Sequence, residues 1–325
     1  MKASRILGFF LITAFWLASA GFGDAQTYPN KPIRMIVPFA AGGSNDVVGR
    51  ALAKAMGKDL KVNIVVENIT TGNTKLGTLE VVKSDPDGYT LLFAGHKALM
   101  GYYYSGTYET KVWEQMALMG QSGEQPYGFL ETRVESPFKS WADLVKAAKQ
   151  NPGKLTCGGP GAGGLMNLIA LETAKAAGIE IRYVPFAGAG PSGTAVLGGH
   201  VDYRVCLVGE ALPNIRAGKT RGLGISYPNR IPELPDVPTF KEMGIAFVDF
   251  PLTLSYDLWG PAKLPPAIQT TLAKALEKAT KDPDYAQFCQ KISYFPVYKD
   301  GQALQGDIKL FDEKVGTKLA AFYKK

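Results

Sequence analysis

The sequence predicts an α/β protein of two halves, each a mostly parallel sheet flanked by helices. Three observations predict it. Near-continuous apolar segments such as Ile33-Arg-Met-Ile-Val-Pro-Phe39 alternate with amphipathic stretches, the pattern of strands covered by helices on both faces. The 325 residues, 46% hydrophobic and 20% charged, suit two domains better than one. The segment Val37-Pro-Phe-Ala-Ala-Gly-Gly-Ser-Asn-Asp46 has a near echo in Val184-Pro-Phe-Ala-Gly-Ala-Gly-Pro-Ser-Gly193, almost a domain's length away.

The first element is a targeting segment. Lys2 and Arg5 precede an apolar run ending in small residues, the plan of a secretory signal peptide, with cleavage expected after Ala25. The run holds about fifteen residues, against ~20 needed to span a bilayer. Its removal would lower the formal charge from +7 to +6. Basic residues are scattered along helix faces rather than clustered with aromatics. That excludes a nucleic-acid partner and leaves a mild attraction for small anions.

The mature chain then reads in order. Residues 33–39 form a strand, followed by a helix from Asp46 that Gly57 ends. A strand at 62–68, a helix over Lys75–Lys83 and a strand at 89–95 complete the first run. The second opens near Tyr127. Ser140 caps a helix with Asp143 in its first turn, and Pro152-Gly153 stops it. Strand 154–159, helix Leu165–Ala177, strand 179–186, a short helix to Gly198, strand 201–208, helix Glu210–Ala217 and strand 220–226 follow. The proline-rich 228–238 is a loop, and the chain closes with long amphipathic helices at 265–281 and 302–323.

Three loops share one design, a strand followed by small residues and glycines and then a helix start: Ala40–Asp46, Gly158–Gly164 and Ala187–Gly193. Such loops lie at the carboxyl ends of parallel strands, where ligands bind, and the helix start offers unpaired N–H groups and a partial positive charge. Each is expected to grip an anion. Asp46 is expected to cap and brace the first loop. His96-Lys97, after another strand end, would either bring a cation near the cleft, as ligand-binding residues, or form a solvated loop pair. Residues 159–164 and 188–193 satisfy G-x-G-x-x-G, but no acid ends the following strand to hold a ribose, so no nucleotide cofactor is expected. Two histidines without metal-ligand spacing give no metal site. No G-x-S-x-G elbow or nucleophile–base pair points to catalysis.

These motifs resemble a known family. The opening YPNKPIRMIVPFAAGGSNDVVGRALA, with DPDGYTLL (85–92), NPGKL (151–155), YVPFAGAGP (183–191), LGGHVD (197–202), IRAGKTRGLGIS (215–226) and LPDVPTFKEMG (234–244), is similar in order and spacing to the tripartite tricarboxylate transporter solute-binding proteins, the Bug family. The resemblance implies a two-lobed, type II periplasmic binding protein with two crossover strands, near Gly128 and near Ser255. After a signal peptide at 1–25, lobe 1 would comprise 26–127 and 255–325, and lobe 2 residues 128–254. It implies a monomeric periplasmic receptor, not an enzyme, that captures a small organic carboxylate and delivers it to membrane transporter subunits. A ligand-sensing receptor for a signalling partner, or an exported enzyme using the same cleft, are the alternatives. The ligand-binding residues would be Phe39, Ala40, Ala41, Gly42, Gly43, Ser44, His96, Lys97, Gly161, Ala162, Gly163, Ala187, Gly188, Gly190 and Cys206.

Three departures from the family pattern bear on the ligand. The first loop commonly has prolines at Ala40 and Ala41, the second a lysine at Ala187, and the strand ending at Cys206 an aspartate there. The pocket is thereby less charged, which favours a di- or tricarboxylate or an aromatic acid over an amino acid. Cys157 and Cys206 are expected as free thiols lining or underlying it.

Overall fold

The computed structural model describes residues 28–162, 164–245 and 253–323. The expected signal peptide, its cleavage site and Gly163 lie outside the described residues.

The first half is a βαβ series. Strands β1 (Ile33–Val37), β2 (Ile64–Asn68) and β3 (Thr90–Phe93) pair in parallel in the order β2-β1-β3. Helices α1 (Ser44–Leu60), α2 (Lys75–Val82) and α3 (His96–Tyr104) follow them in turn. The second half repeats the rhythm after α4 (Trp141–Gln150): β5 (Thr156–Pro160), α5 (Leu165–Ala176), β6 (Arg182–Phe186), α6 (Ala189–Leu197), β7 (Tyr203–Leu207), α7 (Val208–Arg216) and β8 (Thr220–Ile225). Here β5 pairs in parallel with β6 and β7.

Two long strands join the halves. β4 (Met116–Arg133) and β9 (Thr253–Pro261) pair antiparallel with each other. β9 also pairs with β3, and β4 with β7 and β8, giving the path β2-β1-β3-β9-β4-β7-β5-β6. These are the strands the sequence resemblance placed near Gly128 and Ser255. β4 can serve both sheets because it bends. Gly128 has φ +109, and the pairing with β7 shifts register between Tyr127 and Phe129. Such a bulge re-aims the side chain beside it, here Tyr127.

Several boundaries differ from expectation. α1 starts at Ser44 and runs through Gly57 to Leu60, with Lys61 taking the left-handed cap position at φ 56. Gly57 serves packing instead: a Cβ there would lie 2.9 Å from the Val62 carbonyl oxygen. The helix expected at 302–323 is broken into α10 (Gly301–Phe311), a π turn at Asp312–Gly316 and α11 (Thr317–Tyr323). Tyr104 accounts for the break. Its hydroxyl donates to Asp312, and its ring leaves no space for a Cβ on Gly316. Between α8 (Pro266–Thr280) and α10 lie a helix that sequence reading missed, α9 (Pro283–Lys291), and the two-residue strand β10 (Lys299–Asp300), which pairs with β4. α8 packs on α1 and β4, so the terminal helices return to the first half. The Ser140 cap forms as expected: its hydroxyl accepts from Asp143 N while Asp143 accepts from Ser140 N.

Candidate functional site

A cavity of about 310 Å³ lies between the two halves, at the carboxyl ends of their parallel strands. Both copies of the Val-Pro-Phe-Ala motif reach it. Phe39 and Ala40 line it from the first half, and Phe186 and Ala187 from the second.

Three helix starts converge there. Gly43 is the N-cap of α1, Gly164 of α5 and Gly188 of α6, and none of the three has a side-chain cap. Their first turns, at Ser44-Asn45, Leu165-Met166 and Ala189, line the cavity with them. The amides of a first turn have no acceptor within the helix and carry the positive end of its dipole. A carboxylate in the cavity would meet these groups directly.

The predicted site residues divide into three groups. Phe39, Ala40, Gly43, Ser44, Gly161, Ala187 and Gly188 line the cavity. Ala41, Gly42, Ala162 and Gly190 belong to the same loops but do not line it. Gly42 N instead donates to Asp46 Oδ2 at 2.8 Å, and Gly161 N to the Phe186 carbonyl at 2.8 Å, so these amides brace loops rather than offer themselves to a ligand. Asp46 sits three residues past the N-cap and also pairs with Arg50 at 2.8 Å, which fits the bracing role read from sequence. Burial alone would raise its pKa, yet Arg50 and the Gly42 amide hold it below the usual carboxylate range.

His96, Lys97 and Cys206 are placed elsewhere, and this corrects the expectation of a cation at the cleft. His96 is buried, with Nδ1 2.8 Å and its amide 2.6 Å from Asp257 Oδ2. Lys97 is buried too, its Nζ 2.9 Å from both the carbonyl oxygen and Oγ1 of Thr253. Burial pushes the Lys97 ammonium down to about 8. Both side chains are consumed by β9. The Cys206 thiol turns into the core toward the Phe129 carbonyl and Glu131 Oε2, each at 3.7 Å. Cys157 is likewise buried, pushed up to about 12 by burial, and both are free thiols.

Sequence reading also missed functional candidates. Tyr102 and Tyr127 line the cavity, Tyr102 from the aromatic stretch Tyr102-Tyr-Tyr104 of α3 and Tyr127 from the β4 bulge. Asn45 and Asn73 add amides. Glu210 is the most consequential omission. It was read only as a helix start, yet its side chain lines the cavity between β7 and α1. Its Oε2 accepts from Leu207 N at 3.1 Å, and its Oε1 lies 3.5 Å from Ser44 Oγ. Burial raises its pKa, with the Leu207 amide and Arg204 opposing. Among the described lining residues there is no lysine, arginine or histidine.

Comparison with known proteins bears on the fold and the family. The family model described as "Tripartite tricarboxylate transporter family receptor" matches residues 48–318. The chain is 33% identical over 287 residues to the "UPF0065 protein in the TAR-I ttuE-ttuC' intergenic region" of Agrobacterium vitis, covering 88% of this chain and 80% of the relative. Among solved structures, one titled "Structure of a periplasmic transporter" superposes with a TM-score of 0.81 at 27% identity, covering 92% of this chain and 98% of the other. The periplasmic binding protein BugD superposes with a TM-score of 0.78 at 26% identity, covering 91% and 98%. The fold is therefore the two-lobed α/β fold of periplasmic binding proteins, and the chain belongs to the tripartite tricarboxylate transporter receptor family.

Proposed function

We propose that this protein is exported to the periplasm, captures a small organic carboxylate between two lobes, and hands it as a monomer to membrane subunits of a tripartite tricarboxylate-type transporter. One observation carries the reading. Three helix N-termini without side-chain caps meet at one cavity that has no cationic side chain among its described lining residues. Main-chain amides and helix dipoles can hold a carboxylate there, each charge-assisted hydrogen bond contributing roughly 1.5–3 kcal/mol before desolvation and ordering costs.

The volume supports a small ligand, since about 310 Å³ is near the low end of ligand pockets, roughly 300–1,000 Å³. The bulge at Gly128 and the start of β9 support lobe boundaries at 127/128 and 254/255, with hinge motion about the paired β4 and β9. We read the cleft as binding without reaction. Conversion of any bound carboxylate to a product would overturn that.

The test is a thermal-shift screen of organic acids against the protein purified from the periplasm. A carboxylate at 100 Kd should add ~2.7 kcal/mol of stability, while its methyl ester or primary amide should add little. Equal stabilisation by the neutral amides would remove the carboxylate from the reading. Mass spectrometry of the same preparation should find a chain that starts near Gln26.

A further inference from the structure

Glu210 raises a problem for a cavity built to hold anions. Among the described lining residues it is the one carboxyl group, and none of them carries a compensating charge. It is partly exposed, as expected of a group on a cavity wall.

Arg204 compensates that charge only in part: its field favours the ionised carboxyl, but it gives the Glu210 side chain no hydrogen bond. Arg204 is 1% exposed, behind the wall. Its Nε donates to Glu131 Oε2 at 2.5 Å and its Nη1 to the Ala189 carbonyl at 3.0 Å. Toward Glu210 it offers only Nη2 to the main-chain oxygen, at 3.3 Å. Arg204 and Glu131 thus form a closed buried pair that positions the starts of α6 and α7, and the Glu210 carboxyl lies outside that pair. Its own hydrogen bonds are few. Leu207 N holds Oε2, while the contact of Oε1 with Ser44 is at the outer limit of a hydrogen bond.

The other lining groups point the same way. Phe39, Tyr102, Tyr127 and Phe186 give the cavity four aromatic rings, whose faces attract cations. A second ligand carboxylate near Glu210 would meet like charge with no cation between them, which costs affinity. A positively charged nitrogen there would meet a carboxylate in an aromatic-lined cavity.

From this juxtaposition we propose that Glu210 determines specificity and that the preferred ligand is a small zwitterion. Its carboxylate lies at the uncapped first turns of α5 and α6, and its cationic nitrogen against Glu210. The proposal rests on the carboxylate-capture reading and narrows it, away from the di- or tricarboxylates expected from sequence. It does not require the family's usual aspartate at Cys206, because Glu210 approaches the cavity from the next turn of chain.

The experiment is calorimetry on the mature protein with matched probes. Succinate is compared with 4-aminobutyrate, glutarate with 5-aminopentanoate, and terephthalate with 4-(aminomethyl)benzoate, each beside the alkylamine or benzylamine that lacks a carboxylate. The expected result is at least tenfold tighter binding of the amino acid in the best-fitting pair, with the simple amine silent. Glu210→Gln keeps the shape and an acceptor for Leu207 N, and should erase or invert that preference. Tighter binding of the dicarboxylate by the wild type overturns the role of Glu210 and leaves carboxylate capture standing. An unchanged preference in Glu210→Gln overturns it as well. Binding of the simple amines but of no carboxylate overturns both readings. The wild-type ordering decides even if the variant fails to fold.

Discussion

The start of α3 and the starts of α1, α5 and α6 follow one plan in sequence and end in opposite roles. Each has a strand, then small residues and a glycine, then a helix. At α3 the unpaired turn is answered from inside the protein. Asp257 on β9 accepts from the His96 amide and from its ring, and Ser255 adds a bond to the same ring at 3.1 Å. Gly95 is required for that approach, because any Cβ there would collide with the Ser255 carbonyl. At α1, α5 and α6 no side chain answers, and all three turns open on one cavity. A helix N-terminus is thus not a site by itself. What makes the difference is whether another part of the chain already supplies the anion.

The comparison is broken most forcefully at Asp257. Asp257→Ala would leave the His96 amide buried without its acceptor and the ring nitrogen with Ser255 Oγ alone, which should cost about 3 kcal/mol in urea unfolding. Where the variant folds, carboxylate affinity should change far less than stability, because the His96 amide and ring face Asp257 and the turn reaches the cavity only at Ala98. A variant of native stability that had lost its ligand would place α3 among the ligand-gripping turns.

Gly188→Val makes the opposite cut. A Cβ at Gly188 meets nothing within 4 Å, and with φ 169 its backbone is ordinary extended chain. The valine should therefore project into the cavity, with affinity for the best carboxylate falling more than tenfold and the unfolding midpoint barely moving. Gly161 is a poorer test, since its φ of +67 strains any side chain before a ligand is considered. Calorimetry beside thermal unfolding separates the two effects.

Much of this contrast was legible in sequence, and what was not has a physical cause. Local signals gave the strand–helix order, the Ser140 cap and the two Val-Pro-Phe-Ala loops, because each is encoded within a few residues. Asp257 is 161 residues from His96, so nothing near His96-Lys97 showed that β9 would consume both side chains. Glu210 escaped for a similar reason, since a glutamate in a first helical turn has a sufficient local explanation. Its place on the cavity wall depends on β7 stopping at Leu207 and on α1 approaching from the other half. α9 was missed although its signal was local. Asp282 caps it and Pro283 opens it, but the segment between the helices expected at 265–281 and 302–323 was assigned no element.

Lys97 sharpens the comparison more quietly. Burial is the main cause that lowers its pKa to about 8, with Glu124 and Asp257 opposing. The unfolded chain then binds more protons than the folded one between about pH 8 and the ordinary lysine range, so this residue makes stability rise with pH there. Lys97→Met should remove that slope, a difference on the order of 1–3 kcal/mol between pH 8 and 10. Subtracting the variant's urea stability from the wild type's cancels the other titrating groups. Equal slopes would mean that Lys97 is solvated, and the cation expected from sequence at the cleft would be restored.

The smallest expected effect belongs to Asp46, which braces one open turn from behind. Its carboxylate accepts from Gly42 N and pairs with Arg50, whose side chain is half exposed. Asp46→Asn keeps an acceptor for Gly42 and Asn68 and loses the ion pair, which at such exposure is worth no more than ~1 kcal/mol. Two influences on ligand affinity then oppose each other. A looser loop raises the ordering cost of binding, while removing a negative charge from the first turn of α1 strengthens its attraction for a carboxylate. Both are small, so affinity should stay within about threefold of wild type. Raising the salt concentration should narrow the gap if charge dominates and leave it unchanged if loop order does. Complete loss of binding in this conservative variant would mean that Asp46 touches the ligand itself. The first loop would then be a side-chain site rather than a braced helix start.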